Sequence, residues 1–181
     1  MTNTNEAYLD SVFRKYDKNK SGDIDVKELQ MALSNGRWTP FNPETVKLMI
    51  EMFDSNANGM ITRKDFGSLW NYISSWYDCF KAFDTDKSGN ISKDELKAAL
   101  DTLGHKFPES CYDFLMVKFD RSKDGAIYFD DFIHCNIMLH ITKHELQKHP
   151  EDAATRGSVS FTFEDFMLSA LHCSYKPFLS T

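Results

Sequence analysis

The sequence predicts an all-α fold of five helix–loop–helix units whose loops pair through short strands. Three observations carry that reading. Four segments share one residue order, with an acid at loop position one, polar residues at three and five, Gly at six and Ile at eight. They are "DKNKSGDIDVKE" (17–28), "DSNANGMITRKD" (54–65), "DTDKSGNISKDE" (84–95) and "DRSKDGAIYFDD" (120–131). Each is followed by Leu29, Phe66, Leu96 or Phe132 and flanked by segments with helical apolar spacing. A fifth stretch, "DAATRGSVSFTFEDF" (152–166), keeps the outline of the pattern and loses most of its oxygen donors.

The elements follow in order along a single domain of residues 1–181. Tyr8, Leu9, Val12, Phe13 and Tyr16 mark a helix entering the first loop. Asn42-Pro43-Glu44 reads as an N-cap followed by Pro at the first helical position, opening "PETVKLMIEMF". Between Asp65 and Asp84 lies "FGSLWNYISSWYDCFKAF", with no proline and one early glycine. That stretch predicts one helix shared by the second and third units. Pro108 similarly opens "PESCYDFLMVKF". The units therefore span about 7–35, 43–75, 70–103, 108–140 and 141–173, the last degenerate. Units one and two form one pair, three and four another, with Ile24, Ile61, Ile91 and Ile127 in the strands that join neighbouring loops.

The spacing is that of the twelve-residue EF-hand calcium loop. A hard divalent cation takes six to eight oxygens, and alternate residues of a tight loop supply them. The first loop offers Asp17, Asn19, Ser21, the carbonyl of Asp23, Asp25 and Glu28. The third offers Asp84, Asp86, Ser88, the carbonyl of Asn90, Ser92 and Glu95. Both end in a glutamate long enough to chelate with two oxygens. Asp25 with Glu28 and Ser92 with Glu95 also have capping-box spacing, which places the last ligand on the first turn of the exiting helix.

The other loops are poorer. The second offers Asp54, Asn56, Asn58, the carbonyl of Met60 and Asp65; the fourth offers Asp120, Ser122, Asp124, the carbonyl of Ala126 and Asp131. Their closing aspartates are one methylene short, which lowers calcium affinity and favours six-coordinate Mg²⁺. The fourth also carries Tyr128 at position nine. In the alternative reading, these two loops brace their partners without holding metal. In the fifth, Ala154 and Arg156 stand at positions three and five, so it is expected to hold no calcium. An odd unit leaves a strand edge and apolar residues unpaired, and Val159, Phe161, Phe163 and Phe166 are expected to form a dimer interface across a two-fold axis. A decayed unit folded back on its own lobe is the competing expectation.

A formal charge of −6 argues against nucleic acid as a partner. The first residues, MTNTNEAYLD, carry neither a secretory nor a myristoylation pattern, and no run has the ~20 apolar residues of a membrane-spanning helix. Cys79, Cys111, Cys135 and Cys173 lie far apart, as expected for reduced, buried thiols in the cytoplasm. His140 and His144 have a zinc-like spacing but no third ligand nearby, so a solvated helix face is expected. No nucleophile-elbow, phosphate-loop or HExxH pattern is present, and the chain is expected not to be an enzyme.

With its four loops and a fifth in outline, the chain resembles the penta-EF-hand family. The segments "ALSNGRWTPFNPETV" (32–46), "LWNYISSWYDCFKAFD" (69–84) and "KFDRSKDGAIYFDDFI" (118–133) look like the corresponding family segments. The resemblance weakens from "HITKHELQKHPEDAATRG" onward, and the family's Gly/Pro-rich N-terminal extension is essentially absent. It implies a calcium sensor and adaptor, cytoplasmic and in reversible contact with membranes, acting in trafficking or cell-death-linked signalling. It also implies homodimers or heterodimers through the fifth unit. Proline-rich or apolar partner segments are expected in a groove lined by Trp70, Trp76, Leu103 and Phe107. The alternatives are a cytosolic calcium buffer and the regulatory subunit of a calpain-like protease.

Overall fold

A computed structural model of the chain describes residues 3–33 and 40–147. The chain divides into two compact units, 1–134 and 135–181. The first begins with α1 (Asn3–Tyr16), β1 (Asp23–Ile24), α2 (Val26–Ala32), α3 (Pro43–Phe53) and β2 (Ile61–Thr62). There follow α4 (Arg63–Phe83), α5 (Lys93–Thr102), α6 (Glu109–Phe119) and the start of α7 (Phe129–Gln147). The all-α, EF-hand architecture is therefore as expected.

Local chemistry starts these helices where the residues call for it. Asn42 caps α3 by accepting from the Glu44 amide at 2.9 Å, with Pro43 in the first turn. Asp25 and Glu28 form a reciprocal capping box at α2, and Ser92 and Glu95 form another at α5. Pro108 corrects a boundary: the helix starts at Glu109, and Pro108 takes the extended cap position (φ −60°, ψ 154°) without a side-chain hydrogen bond. A proline has no side-chain acceptor with which to cap, so it ends the incoming loop here.

The strands pair as the isoleucines require. β1 and β2 are antiparallel with Ile24 opposite Ile61, and Ile91 and Ile127 exchange backbone hydrogen bonds of 2.8 and 2.9 Å. All four isoleucines are fully buried. Behind them α4 runs unbroken for 21 residues, shared by the second and third hands. Its N-terminal half sets Phe66 edge-on to Phe13 of α1 at 5.4 Å. Its C-terminal half sets Phe80 against Phe129 and Phe132 of α7 at 5.5 and 5.6 Å. One helix thus supplies core to both pairs of hands, and edge-to-face aromatic contacts set their geometry.

α7 continues to Gln147, past the boundary at residue 140 drawn from the loop spacing. His140 and His144 are exposed on it, as a solvated face requires. Among the described cysteines Cys135 is buried, whereas Cys79 and Cys111 are half-buried, short of the full burial expected of each. Cys173, loop five and the interface residues Val159, Phe161, Phe163 and Phe166 lie outside the described residues.

Candidate metal centre

The four loops share one backbone. Position four is left-handed in each, at Lys20, Ala57, Lys87 and Lys123 with φ between 55° and 60°, and glycine at position six follows at φ 78° to 90°. Two positive-φ residues so close reverse the chain sharply enough to aim several oxygens at one point. None of the four position-four residues is β-branched, the class that tolerates this conformation least.

In the third loop, Asp84 Oδ1 accepts from the Ser88 amide at 2.9 Å and Oδ2 from the Gly89 amide at 3.0 Å. Asp86 Oδ1 accepts from the same Ser88 amide at 2.9 Å. Ser88 Oγ lies 3.3 Å from the Asn90 carbonyl, so position five and the position-seven carbonyl are already adjacent. Glu95 Oε1 accepts from the Thr85 amide and hydroxyl, both at 2.8 Å; Oε2 accepts from the Ser92 amide at 3.0 Å and hydroxyl at 2.9 Å. Partial burial pushes the Glu95 pKa up, but the bonds from Ser92 and Thr85 outweigh it and hold the carboxyl near a pKa of about 2. Oxygens of Asp84, Asp86 and Glu95 lie within 4.8 Å of one another, the one such group of three among the described residues. All the donors are hard oxygens, three of them on carboxylates, which suits Ca²⁺.

The first loop is built alike. Asp17 accepts from the Ser21 and Gly22 amides at 2.9 and 3.0 Å, and Asn19 Oδ1 accepts from the Ser21 amide at 2.8 Å. Ser21 Oγ donates to the Asp23 carbonyl at 2.8 Å. Glu28, only 4% exposed, accepts from the Lys18 amide at 2.9 Å and the Asp25 amide at 3.2 Å. Its carboxylate is thus folded over the loop mouth.

In the second loop, Asp54 accepts from the Asn56 and Gly59 amides at 3.3 and 2.6 Å, and Asn58 Oδ1 from the Met60 amide at 2.9 Å. Asp65 Oδ2 accepts from Thr62 and Ser55 hydroxyls at 2.7 and 2.9 Å. Desolvation pushes its pKa up, and those hydroxyl bonds bring it below the ordinary value. Asn56 and Asn58 contribute no charge, so this loop gathers less negative potential than the third.

The fourth loop keeps the turn and diverts its closing acid. Asp120 accepts from the Gly125 amide at 2.8 Å, and Ser122 donates to Asp124 at 3.1 Å. Tyr128, at position nine, donates to Asp124 Oδ2 at 3.0 Å. Asp131 accepts from Arg121 Nε at 2.8 and 2.7 Å through its two oxygens, and from Asn42 Nδ2 at 2.7 Å. Its carboxylate is committed to a guanidinium and to a residue of another hand. The sequence reading passed over Arg121 and the long-range role of Asn42. The available signal was a basic residue at loop position two together with the doubled acid Asp130-Asp131.

The groove residues occupy separate settings. Trp70 lies against Phe66 and Tyr8, at 5.6 and 6.4 Å; Trp76 lies against Tyr72 and Phe132, at 6.1 and 6.0 Å. Leu103 is exposed at the end of α5, and Phe107 is stacked on His105 beside Tyr112.

Comparison with known proteins agrees with this geometry. The sequence family described as an EF-hand domain pair matches residues 6–70 and 73–135. Sorcin from Schistosoma japonicum is 39% identical over 162 residues, covering 90% of this chain and 93% of that protein. This chain belongs to the penta-EF-hand family. Human peflin is 36% identical over 163 residues, covering 90% of this chain and 56% of peflin, so the chain spans little more than half of that relative. The solved structure of a homolog of programmed cell death 6 protein from Leishmania major Friedlin superposes with a TM-score of 0.79. It is 32% identical, over 91% of this chain and 93% of that one. As a penta-EF-hand protein, the chain is a calcium-binding EF-hand protein of the peflin and sorcin group.

Proposed function

We propose that the chain is a non-enzymatic calcium sensor and adaptor that changes its exposed apolar surface when its first and third loops are filled. One observation carries this reading. The Asp84, Asp86 and Glu95 oxygens converge within 4.8 Å, and Glu95 belongs to the first turn of α5. Bound Ca²⁺ would supply a divalent charge that draws the loop oxygens together. Asp84 and Asp86 would hold it from the loop, and Glu95 from the helix. To give both oxygens to a metal, Glu95 must let go of Thr85 and Ser92, which changes the start of α5. Glu28 stands in the same relation to α2. Turning an exit helix re-exposes apolar residues that pack against it, as in other EF-hand sensors.

Loop two is a weaker site in this reading, open to Mg²⁺ as well as Ca²⁺. The resemblance supports dimerisation through the fifth hand, apolar or proline-rich partner segments, and a cytoplasmic role in trafficking or cell-death-linked signalling. Among the described residues no helix is long and apolar enough to cross a membrane, so the membrane association proposed here is reversible and peripheral.

The test is ANS fluorescence and size-exclusion elution of the purified chain, each in Ca²⁺ and in EGTA. A Ca²⁺-dependent rise in ANS signal, with elution as a dimer, is expected. Calcium uptake without that rise would make the chain a buffer. A different protein chain retained in both buffers would make it a subunit of a larger enzyme.

A further inference from the structure

In all four loops the position-twelve carboxylate accepts from position two. The donors are the Lys18 amide, the Ser55 hydroxyl, the Thr85 amide and hydroxyl, and in the fourth loop the Arg121 guanidinium. Only the last brings a positive charge. Arg121 Nε forks onto both oxygens of Asp131, and its Nη2 reaches Asp130 Oδ2 at 2.5 Å. Asp130 is fully buried and Asp131 is 3% exposed. Two desolvated carboxylates side by side need a counter-charge, and a guanidinium fork provides it without a metal.

The same two aspartates hold the second hand. The Asn42 amide donates to Asp130 Oδ2 at 2.8 Å, its side-chain amide to Asp131 Oδ1 at 2.7 Å, and Thr45 Oγ1 to the Asp130 carbonyl at 3.2 Å. Asn42 is 6% exposed and Thr45 fully buried. Immediately before Asn42, the Phe41 carbonyl accepts from Gln30 Nε2 on α2, two residues beyond Glu28, at 2.5 Å. The Phe41 ring meets Phe129 of α7 edge-on at 6.0 Å. On its far side the fourth loop exchanges backbone bonds with the third through Ile127 and Ile91. Contacts are therefore continuous from the exit helix of loop one, through Phe41 and Asn42, to loop four and on to loop three.

We infer that the fourth loop is a guanidinium-closed coupler, in which Arg121 stands in for a metal and the Asn42–Asp130–Asp131 bonds link calcium binding at loop one to loop three. This rests on the calcium reading of those two loops. A turn of α2 that accompanies ligation by Glu28 must either carry Phe41 and Asn42 with it or break buried hydrogen bonds. A buried donor or acceptor left without its partner is costly, so the motion is carried to Asp130, Asp131 and the start of α7. By linkage the effect is reciprocal: loop three favours loop one by the same factor.

Calorimetric titration of the full chain with Ca²⁺ tests the coupling. Glu95→Gln weakens loop three and reads the tighter constant of loop one, and Glu28→Gln likewise reads that of loop three. The product of the two wild-type association constants should exceed the product of the single-loop values by about fivefold or more. In an Arg121→Met background the same comparison should fall to within about twofold of unity. Asn42→Ser keeps a capping oxygen for α3 but lacks the amide donor to Asp131, and it should cut the coupling in the same direction even if Arg121→Met fails to fold. A wild-type product equal to that of the single loops would overturn the inference and leave the calcium reading intact. So would coupling that survives both substitutions. Absence of Ca²⁺ uptake at either loop would bring down both.

Discussion

Glu95 shows how one residue serves two structures. Its backbone amide and carboxylate close the capping box with Ser92, and that carboxylate is also the last oxygen source of the loop. Glu95→Gln keeps the shape and removes the charge. We expect calcium affinity at loop three to fall by about tenfold or more in a calorimetric titration, because one of the three converging carboxylates is lost. Gly89 illustrates a backbone constraint. Its φ is +79°, and an added Cβ would meet nothing within 4 Å, so Gly89→Ala is opposed by torsion alone. It should lower stability by about 1–2 kcal/mol in urea denaturation. His134 sets a pH dependence. Burial lowers its pKa from 6.5 to about 4, with Lys118 adding to the effect, and its ring lies 5.4 Å from Phe119. The folded state thus binds this proton less well than the unfolded chain. Its contribution is fully present above pH 6.5 and is lost as pH falls from there toward 4. The loss should reach up to about 3 kcal/mol, and His134→Phe should remove that part of the pH profile of urea unfolding.

At the level of elements, α4 bears the most. Its N-terminus is capped by Thr62, and it ends at Asp84, the first residue of loop three. Ser75 lies mid-helix and exposed, with its hydroxyl bonded to the Asn71 carbonyl at 2.9 Å. Ser75→Pro would remove one helical hydrogen bond and clash with the preceding turn. The expected cost is about 3 kcal/mol or more, read as a lower midpoint in urea denaturation, and the kink would separate the two halves of the aromatic core. α5 and α6 meet through Lys93, which reaches Glu109 at 2.8 Å and Asp113 at 2.5 Å, and through Lys97, which reaches Glu109 at 2.8 Å. Glu109 and Asp113 are exposed and the two lysines half-buried, so salt should screen the pairs, and packing decides how the two helices stand.

At the scale of the first unit, edge-to-face rings run through a largely aliphatic core. Phe80, 3% exposed, touches both Phe129 and Phe132, and Phe132 touches Trp76. Phe80→Ala would leave a cavity between α4 and α7. It should destabilise the protein by about 3–5 kcal/mol in chemical denaturation, with retained helical circular dichroism in the absence of denaturant. Beneath these rings lies the buried polar tie of Asn42, Thr45, Asp130 and Asp131. It fixes how the second hand meets the fourth, because the bonds from Asn42 and Thr45 to Asp130 and Asp131 form together in one arrangement.

The loop pattern by itself determined the helix–loop–helix repeats, the pairing of hands one with two and three with four, and the shared helix α4. Those features follow from local rules: a ligand at alternate positions, glycine where φ is positive, a cap beside a glutamate. Only the tertiary structure decided that Asp130 and Asp131 face Asn42, and that Trp70, Trp76, Leu103 and Phe107 have different surroundings. Residues 88 and 89 positions apart meet in that network. Nothing local marks such a pairing, because the partner of a buried charge is chosen by the packing of helices distant in sequence.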